Sequence, residues 1–496
     1  MTAAPVVELT DRVAGAARSG PSVAQRLLAL ARERYTFGRS SSGDVYAVPK
    51  AGPPIARLIR GGPTSLRAEL AAIFYRQSGQ VASSGALADT MCTIEGLGQS
   101  QEPVELHLRT AGDGDDVVID LGRSDGALVR VGPAGWRVER AVASGPLFRR
   151  SRLTSRLPIP GEGGDLAELR DLLNVSDGSW PLLMSWLVAA LLPDIAHPIL
   201  FLTGEQGTAK TTATKLLVQL VDPSPAPARQ SPRDPDDWSV AASGSWVVGL
   251  DNVSHLPRWL SDAMCRAATG DGLVKRTLYS DADVTVLNYR RVLVVNGIDV
   301  GAVRGDLADR MIPVELHPIA AQDRRTDRDL WAAYRAAHPR LLGALLTLTS
   351  QVLAALPAAR EAMTARSRMA DYAEVVAALD AVCGTDVLAA YTAARTDLAT
   401  AVVESDQVGS ALTRLVERQA VGWEGTAAEL LDALPLPSHV PDSWPRTPSS
   451  LSGRITRLAP ALASLGVCVE RRRSNGTKTI RITRPPPPTG VPPDDG

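Results

Sequence analysis

Cysteine is scarce in this 496-residue chain: four residues, Cys92, Cys265, Cys383 and Cys468, all far apart. No two form a C-x-x-C pair, which argues against a cysteine zinc site and a disulfide scaffold. A reducing interior compartment fits. Long apolar runs are missing too. The most hydrophobic stretch, Trp180 to Leu202, is broken by Pro193, Asp194, His197 and Pro198. Its unbroken part falls short of the ~20 residues that span a bilayer. Met1 to Gly20 lacks the apolar core of a secretory signal. The expectation is a soluble, cytoplasmic protein without a membrane partner. Charge of one sign is absent as well: Lys+Arg total 53 and Asp+Glu 54, a net charge of −1. That excludes a uniformly basic nucleic-acid coat and leaves room for a local basic patch. Lysine itself is rare, at Lys50, Lys210, Lys215, Lys275 and Lys478 only. Where lysine survives such arginine bias, a compact ammonium is favoured over a planar fork.

Hydrophobic residues make up 45% of the chain, a globular composition. Residues 1–160 read as an α+β domain of unknown role. Ser22 to Arg32 and Leu66 to Arg76 have helical spacing, residues 36–60 suggest short strands, and Val104 to Val142 reads as a turn-divided meander. Asp113, Asp115, Asp116 and Asp120 read as a solvated hairpin loop rather than a metal site. Pro158 to Gly164 reads as a linker. Residues 165–320 alternate strands and helices, an α/β signature. Residues 325–405 are helical and alanine-rich, 408–484 form a small separate unit, and 485–496 are a Pro-rich tail expected to be disordered. The six histidines are dispersed, and none is assigned to catalysis.

The strongest signal is an apolar strand from Ile199 that runs into Gly204-Glu205-Gln206-Gly207-Thr208-Ala209-Lys210-Thr211-Thr212 and then a helix to Val221. It follows G-x-x-x-x-G-K-[ST], with Ala209 in place of the second glycine. Such a turn aims backbone N–H groups and a helix N-terminus at phosphate oxygens. Lys210 would reach the β- and γ-phosphates of ATP, and Thr211 would ligate Mg²⁺. Ser245 to Asp251 is an apolar run ending in an acid, which suits a buried parallel strand with Asp251 beside the Mg²⁺. Asn252 follows where many ATPases carry a Glu; an amide orients water but is a poor base. A third strand, Arg291 to Val295, ends at Asn296, placed to touch the γ-phosphate or attacking water; the Asn-Gly dipeptide also favours a plain turn. Arg310, and secondarily Arg304, suit an arginine finger acting on a neighbouring subunit's nucleotide.

This order of elements, with Lys275 between Asn252 and Asn296, resembles the superfamily 3 helicase domain of the AAA+ class, particularly phage- and plasmid-type primase-helicase ATPases. The resemblance covers about residues 165–320. It implies an α/β P-loop NTPase core, ATP and Mg²⁺ as cofactors, and a homo-oligomeric ring, a hexamer, moving on DNA. Lys275 and Arg276 precede a plausible β-hairpin whose turn, Ser280 to Asp283, is acidic where related helicases present basic residues. In the C-terminal unit, two helices precede a hairpin around Asn475-Gly476, the strongest short hairpin signal. This resembles a winged-helix DNA-binding domain. Arg454 and Arg457 lie on its second helix; Arg471, Arg472, Arg473, Lys478, Arg481 and Arg484 lie on the hairpin.

The leading expectation is an ATP-hydrolysing, DNA helicase-like motor for replication of a phage, plasmid or integrated mobile element. The alternative is a nucleotide-switched DNA-binding initiator, loader or regulator with little unwinding; the basic hairpin argues against a small-molecule kinase. Residues 1–160 show no convincing polymerase carboxylate set, so a primase or other replication protein is expected on a separate polypeptide.

Overall fold

The computed structural model describes residues 20–62, 64–254, 256–270, 273–276, 284–287, 289–298, 303, 305–363, 369–418, 422–436, 444–474 and 477–484. Arg304, the Ser280–Asp283 turn, Asn475-Gly476 and the tail from Pro485 lie outside these. The chain divides into two compact units, residues 1–107 with 141–150, and 108–140 with 151–496.

The first unit starts with α1 (Val23–Arg34), whose N-cap Ser22 forms a reciprocal capping box with Gln25. Strands β1 (Tyr35–Ser40), β2 (Val45–Pro49) and β3 (Ile55–Leu58) follow, then α2 (Leu66–Ser78) and α3 (Ser84–Gln99). The short strands β4 (Pro103–Val104) and β5 (Leu106–His107) complete this stretch. The chain then makes an antiparallel meander in the second unit, β6 (Thr110–Asp113), β7 (Asp116–Asp120), β8 (Ala127–Gly132) and β9 (Gly135–Arg140). It returns to the first unit as β10 (Leu147–Arg149), giving a sheet in the order β4-β1-β2-β3-β10-β5. Leu27, Ala31, Leu66, Leu70, Met91 and Ile94 from the three helices bury one face of that sheet.

The meander is therefore part of the larger unit and not of an N-terminal domain ending near 160. The reason is a buried charge pair. Arg109 Nε meets Asp222 Oδ1 at 2.8 Å, with side chains 0% and 5% exposed. The rest of the guanidinium donates to the Asp120 and Ser155 carbonyls. Asp120 is buried, unlike the solvated loop expected of it. Asp113 and Asp116 pair instead with Arg130. Residues 158–164 are also not a free linker: a Cβ on Gly164 would fall 2.1 Å from the Arg340 carbonyl oxygen, so the segment packs against a later helix.

After α4 (Ala167–Arg170) comes α5 (Trp180–Ala189), with Pro181 in its first turn. The central sheet is β11 (Ile199–Thr203), β12 (Val247–Leu250), β15 (Val292–Asn296) and β16 (Met311–Glu315), in the order β12-β15-β11-β16. All neighbours are parallel. Strands β11, β12 and β15 are nearly continuous apolar runs, as burial on both faces requires, while the edge strand β16 carries Pro313 and ends at the exposed Glu315. Helices α6 (Lys210–Val221), α7 (Pro235–Gly244) and α8 (Arg258–Thr269) connect them. The hairpin β13 (Leu273–Arg276) and β14 (Val284–Leu287) carries Lys275 and Arg276, with Lys275 opposite Thr285 and Arg276 opposite Val284. A four-residue helix, α9 (Gly305–Ala308), leads into β16.

Then follow α10 (Asp327–Ala362), α11 (Ala370–Cys383), α12 (Val387–Ser405) and α13 (Gln407–Glu417). By length and composition α10 could cross a membrane; over half of that window is buried, packed against α11, β8 and β9. The C-terminal module adds β17 (Trp423–Thr426), α14 (Ala427–Ala433), α15 (Pro448–Ser464), β18 (Cys468–Ser474) and β19 (Thr477–Thr483). Its sheet runs β17-β19-β18, antiparallel. Its Leu451, Ile455, Leu458, Leu462 and Ile480 share one core with Ile199 and Phe201 of β11.

Candidate functional site

The carboxyl end of β11 breaks at Gly204, which has a φ of +131°. A Cβ there would lie 2.5 Å from the Leu316 carbonyl oxygen, so both conformation and space demand glycine. The loop curls through Gly207 (φ +87°) and enters α6 at Ala209, which sits left-handed at φ +57°. Alanine thus adopts a glycine's conformation, at a cost of roughly 1–2 kcal/mol. Among the described residues, no hydrogen-bond acceptor meets the backbone N–H groups of Gln206 to Lys210. Those donors, a helix N-terminus and the Lys210 ammonium make a cradle suited to phosphates. Lys210 Nζ donates to the Gly204 and Glu205 carbonyls, each at 2.7 Å. It therefore arches back over the loop.

Register brings the next groups to the same edge. Strand β15 lies between β11 and β12, with Leu202 opposite Asn296. Thr211 Oγ1 donates to Asp251 Oδ1 at 2.7 Å. Asn296 Nδ2 donates to the same oxygen and to Thr214 Oγ1, both at 2.8 Å. Asn296 Oδ1 accepts from the Asn252 backbone N–H at 2.9 Å. The buried Asn296 amide thus bonds to Asp251, Thr214 and Asn252 at once, where the sequence reading placed it near phosphate or water. Asn252 sits at φ +53°, a conformation asparagine tolerates. Gly297 gives it room: a Cβ there would lie 2.7 Å from the Asn252 Cα.

The hydroxyl and carboxylate of Thr211 and Asp251, already in contact, fit a hard cation such as Mg²⁺, which takes one or two protein oxygens and keeps waters. Among the described residues no cluster of three His, Cys, Asp or Glu could form a cage by itself.

Two groups escaped sequence reasoning. Asn174 Nδ2 donates to the Thr208 carbonyl at 2.9 Å and also to that of His317, tying the loop to the segment after β16. Beside the loop opens a cavity of about 710 Å³, walled by Leu172, Leu173, Ala213, Ile319 and Leu330 and edged by Asp171, Asp323, Arg324, Arg325 and Asp327. Apolar walls with a few polar groups are the usual lining of a small-molecule site. Neither signal was local; both need residues brought together from before β11 and after β16.

Arg310 stands at the opposite end of the sheet. Its carbonyl accepts from the Ile199 N–H at the start of β11, and its Nη1 donates to the Asp306 carbonyl at 2.6 Å. It does not join its own chain's loop. Of the tryptophans near the strands, Trp238 and Trp246 are buried packing residues, and Trp246 Nε1 donates to the Ala190 carbonyl.

The C-terminal basic residues divide. Arg454 donates to Asp406 Oδ2 at 2.8 Å, fastening α15 to the N-cap of α13. Arg471 folds back on Ser452 and Thr456 of α15. Arg472 pairs with Glu470, and Arg481 with Glu424. Arg473 and Lys478 are exposed and face each other across the hairpin. Like charges directly opposite are unfavourable without an anion nearby. Arg457 is exposed on α15.

The glycine loop thus lies at the carboxyl edge of a parallel sheet within an α/β core, where ligands of such sheets commonly bind. Residues 166–401 match the family model of the actinomycete integrative conjugative element replication protein, AICE RepA. Residues 408–492 match the model of the AICE RepA C-terminal domain. In chain order, these segments resemble two parts of one mobile-element replication protein. No curated protein matches the chain. Among solved structures, an active helicase, SCCmec type IV Cch, is 12% identical over 91% of this chain and 93% of its own, with a TM-score of 0.39. The apo A form of the NrS-1 C-terminal region is 12% identical over 92% and 97%, with a TM-score of 0.40.

Proposed function

We propose that this chain is an ATP-hydrolysing motor of the superfamily 3 helicase type within the AAA+ class, serving replication of an integrative mobile element from the cytoplasm. The observation that carries the reading is the Thr211–Asp251–Asn296–Asn252 network directly beneath the glycine loop. The loop N–H groups and Lys210 bind the phosphates, with Lys210 exchanging its carbonyl partners for phosphate oxygens. Thr211 and Asp251 hold Mg²⁺, which neutralises charge on the phosphates. Asn296 keeps Asp251 and Asn252 in place. The adjoining cavity takes the nucleoside.

Arg310, remote from its own loop, acts on a neighbour's nucleotide in a ring, a hexamer, with Arg304 as the second candidate. The C-terminal module is a winged helix that engages DNA through Arg457, Arg473 and Lys478, while Lys275 and Arg276 face DNA from the β13–β14 hairpin. Priming is left to a separate primase.

ATP hydrolysis by the purified chain, with and without single-stranded DNA and beside Lys210→Ala, tests this. Turnover stimulated by DNA and lost at least 100-fold in the variant is expected; unchanged turnover in Lys210→Ala sinks the assignment. Asn252 favours a second reading, a nucleotide-switched initiator or loader that binds ATP and turns it over slowly. Strand displacement on a forked duplex separates the two.

A further inference from the structure

The segment that joins Asn296 to Arg310 is gripped from outside the sheet. Its short helix α9 packs against both α12 and α15. The approach to α15 is close. A Cβ on Gly305 would stand 2.9 Å from the Arg457 carbonyl oxygen and 3.2 Å from the Ala461 nitrogen. Both are backbone atoms and cannot swing aside. Just beyond α9, Asp309 Oδ1 meets Ser464 Oγ of α15 at 3.3 Å, the hydroxyl sharing its one proton with the Pro460 carbonyl at the same distance, and accepts from Arg395 Nη2 of α12 at 3.4 Å. The Asp309 side chain is 11% exposed, so solvent competes little for these bonds. The next residue is Arg310, itself tied back to α9 through the Asp306 carbonyl. Helix α15 meanwhile carries Arg457 and supports Arg471 of the basic hairpin. One helix thus touches the arginine-bearing segment on one side and the basic hairpin on another.

We infer that Asp309 and Ser464 are positioning residues that, through Arg310, couple DNA on the C-terminal module to ATP at the neighbouring subunit's glycine loop. The inference rests on the nucleotide and DNA readings above. Packed interfaces move between discrete arrangements rather than deforming continuously. A shift of α15 on DNA therefore carries α9, Asp309 and Arg310 with it. Coupling of this kind is reciprocal: ATP must change DNA affinity by the same factor that DNA changes ATP affinity.

The test uses the full chain and a fluorescently labelled forked oligonucleotide, its Kd read by anisotropy with and without ATP and Mg²⁺. In the unaltered protein ATP shifts the DNA Kd by about 5-fold or more, the range of ordinary coupling energies. Gly305→Ala wedges α15 from α9, and Ser464→Ala removes the hydroxyl. Both keep the nucleotide-free DNA Kd and the DNA-free ATP Kd within about 2-fold, yet lose most of the shift; Ser464→Thr retains it. Should Gly305→Ala fail to fold, the serine pair alone decides. A full shift persisting in Ser464→Ala overturns the inference, as does an unaltered protein that binds both ligands with no shift. Wild-type ATP affinity in Lys210→Ala would instead remove the nucleotide reading, and absence of DNA binding the DNA reading.

Discussion

Beneath the glycine loop, polar side chains interlock: Asn296 alone serves Asp251, Thr214 and Asn252. On the C-terminal hairpin, charges stand at the surface, joined in twos at most, and Arg473 and Lys478 face one another unneutralised by any described carboxylate. At the centre of the first region Asn296 and Thr214 are buried, so a missing partner there is costly, while Asp251 and Asn252 sit toward the open edge. The second is exposed, so its charges are loosely held and open to an outside anion. Geometry suits chemistry on one small ligand; loose charge suits a long polyanion.

The harshest way to break this contrast is Asn296→Asp. It replaces the amide donor with a second carboxylate 2.8 Å from Asp251. Loss of ATP turnover by at least 100-fold is expected, with a lowered Tm that added Mg²⁺ partly restores. A variant with wild-type turnover would show that the network does not position Asp251. On the hairpin, Lys478→Ala should weaken DNA binding modestly and reduce the slope of log K against log salt by about 1. Arg454→Ala should leave that slope alone and instead cost roughly 1 kcal/mol of stability, seen in urea melts, because Arg454 is an anchor to Asp406. Exchanged outcomes would reverse the two roles.

The interior should also answer to protons where the hairpin answers to salt. Burial, reinforced by the Arg290 charge, pushes His197 down to about 3, and burial pushes His338 down to about 4. Unfolded histidines bind protons near pH 6.5 while these two do not, so stability is full above that pH and falls as pH drops. The expected loss between pH 6.5 and 5 approaches about 1.4 kcal/mol per histidine per unit. Thermal melts across that window check it, and a flat Tm would refute the burial of neutral imidazoles. The smallest effect is Ala209→Gly. Relief of the left-handed alanine, offset by glycine's freedom when unfolded, should raise stability by up to about 1 kcal/mol without loss of turnover.

The strand, glycine loop and helix were legible because their signal is contiguous, within fourteen residues from Ile199 to Thr212. Asp251 and Asn296 were legible as polar ends of apolar strands, and the parallel order then brought them together. The bond from Asn296 to Thr214 was not, since Thr214 lies 82 residues away in sequence. Asn174 escaped for the same reason, its loop contact reaching across 34 residues. The bond from Arg454 to Asp406 was not legible because local charge does not reveal which way a helix turns. The Pro158–Gly164 stretch read as a linker because its glycines speak equally for freedom and for close packing, and here Gly164 serves packing against α10.

The Arg109–Asp222 pair bears on how this molecule can be taken apart. A fragment beginning at residue 166, where the replication-protein match begins, would keep the glycine loop, Asp251 and Asn296. It would also strand Asp222, a carboxylate that caps the backbone N–H groups of Trp246 and Val247 at the head of β12. A buried charge deprived of its partner costs about 3–5 kcal/mol, a large fraction of a domain's stability. Modularity in sequence is thus no guide to autonomy in folding: the smallest independently stable fragment that carries the glycine loop must start upstream of Arg109.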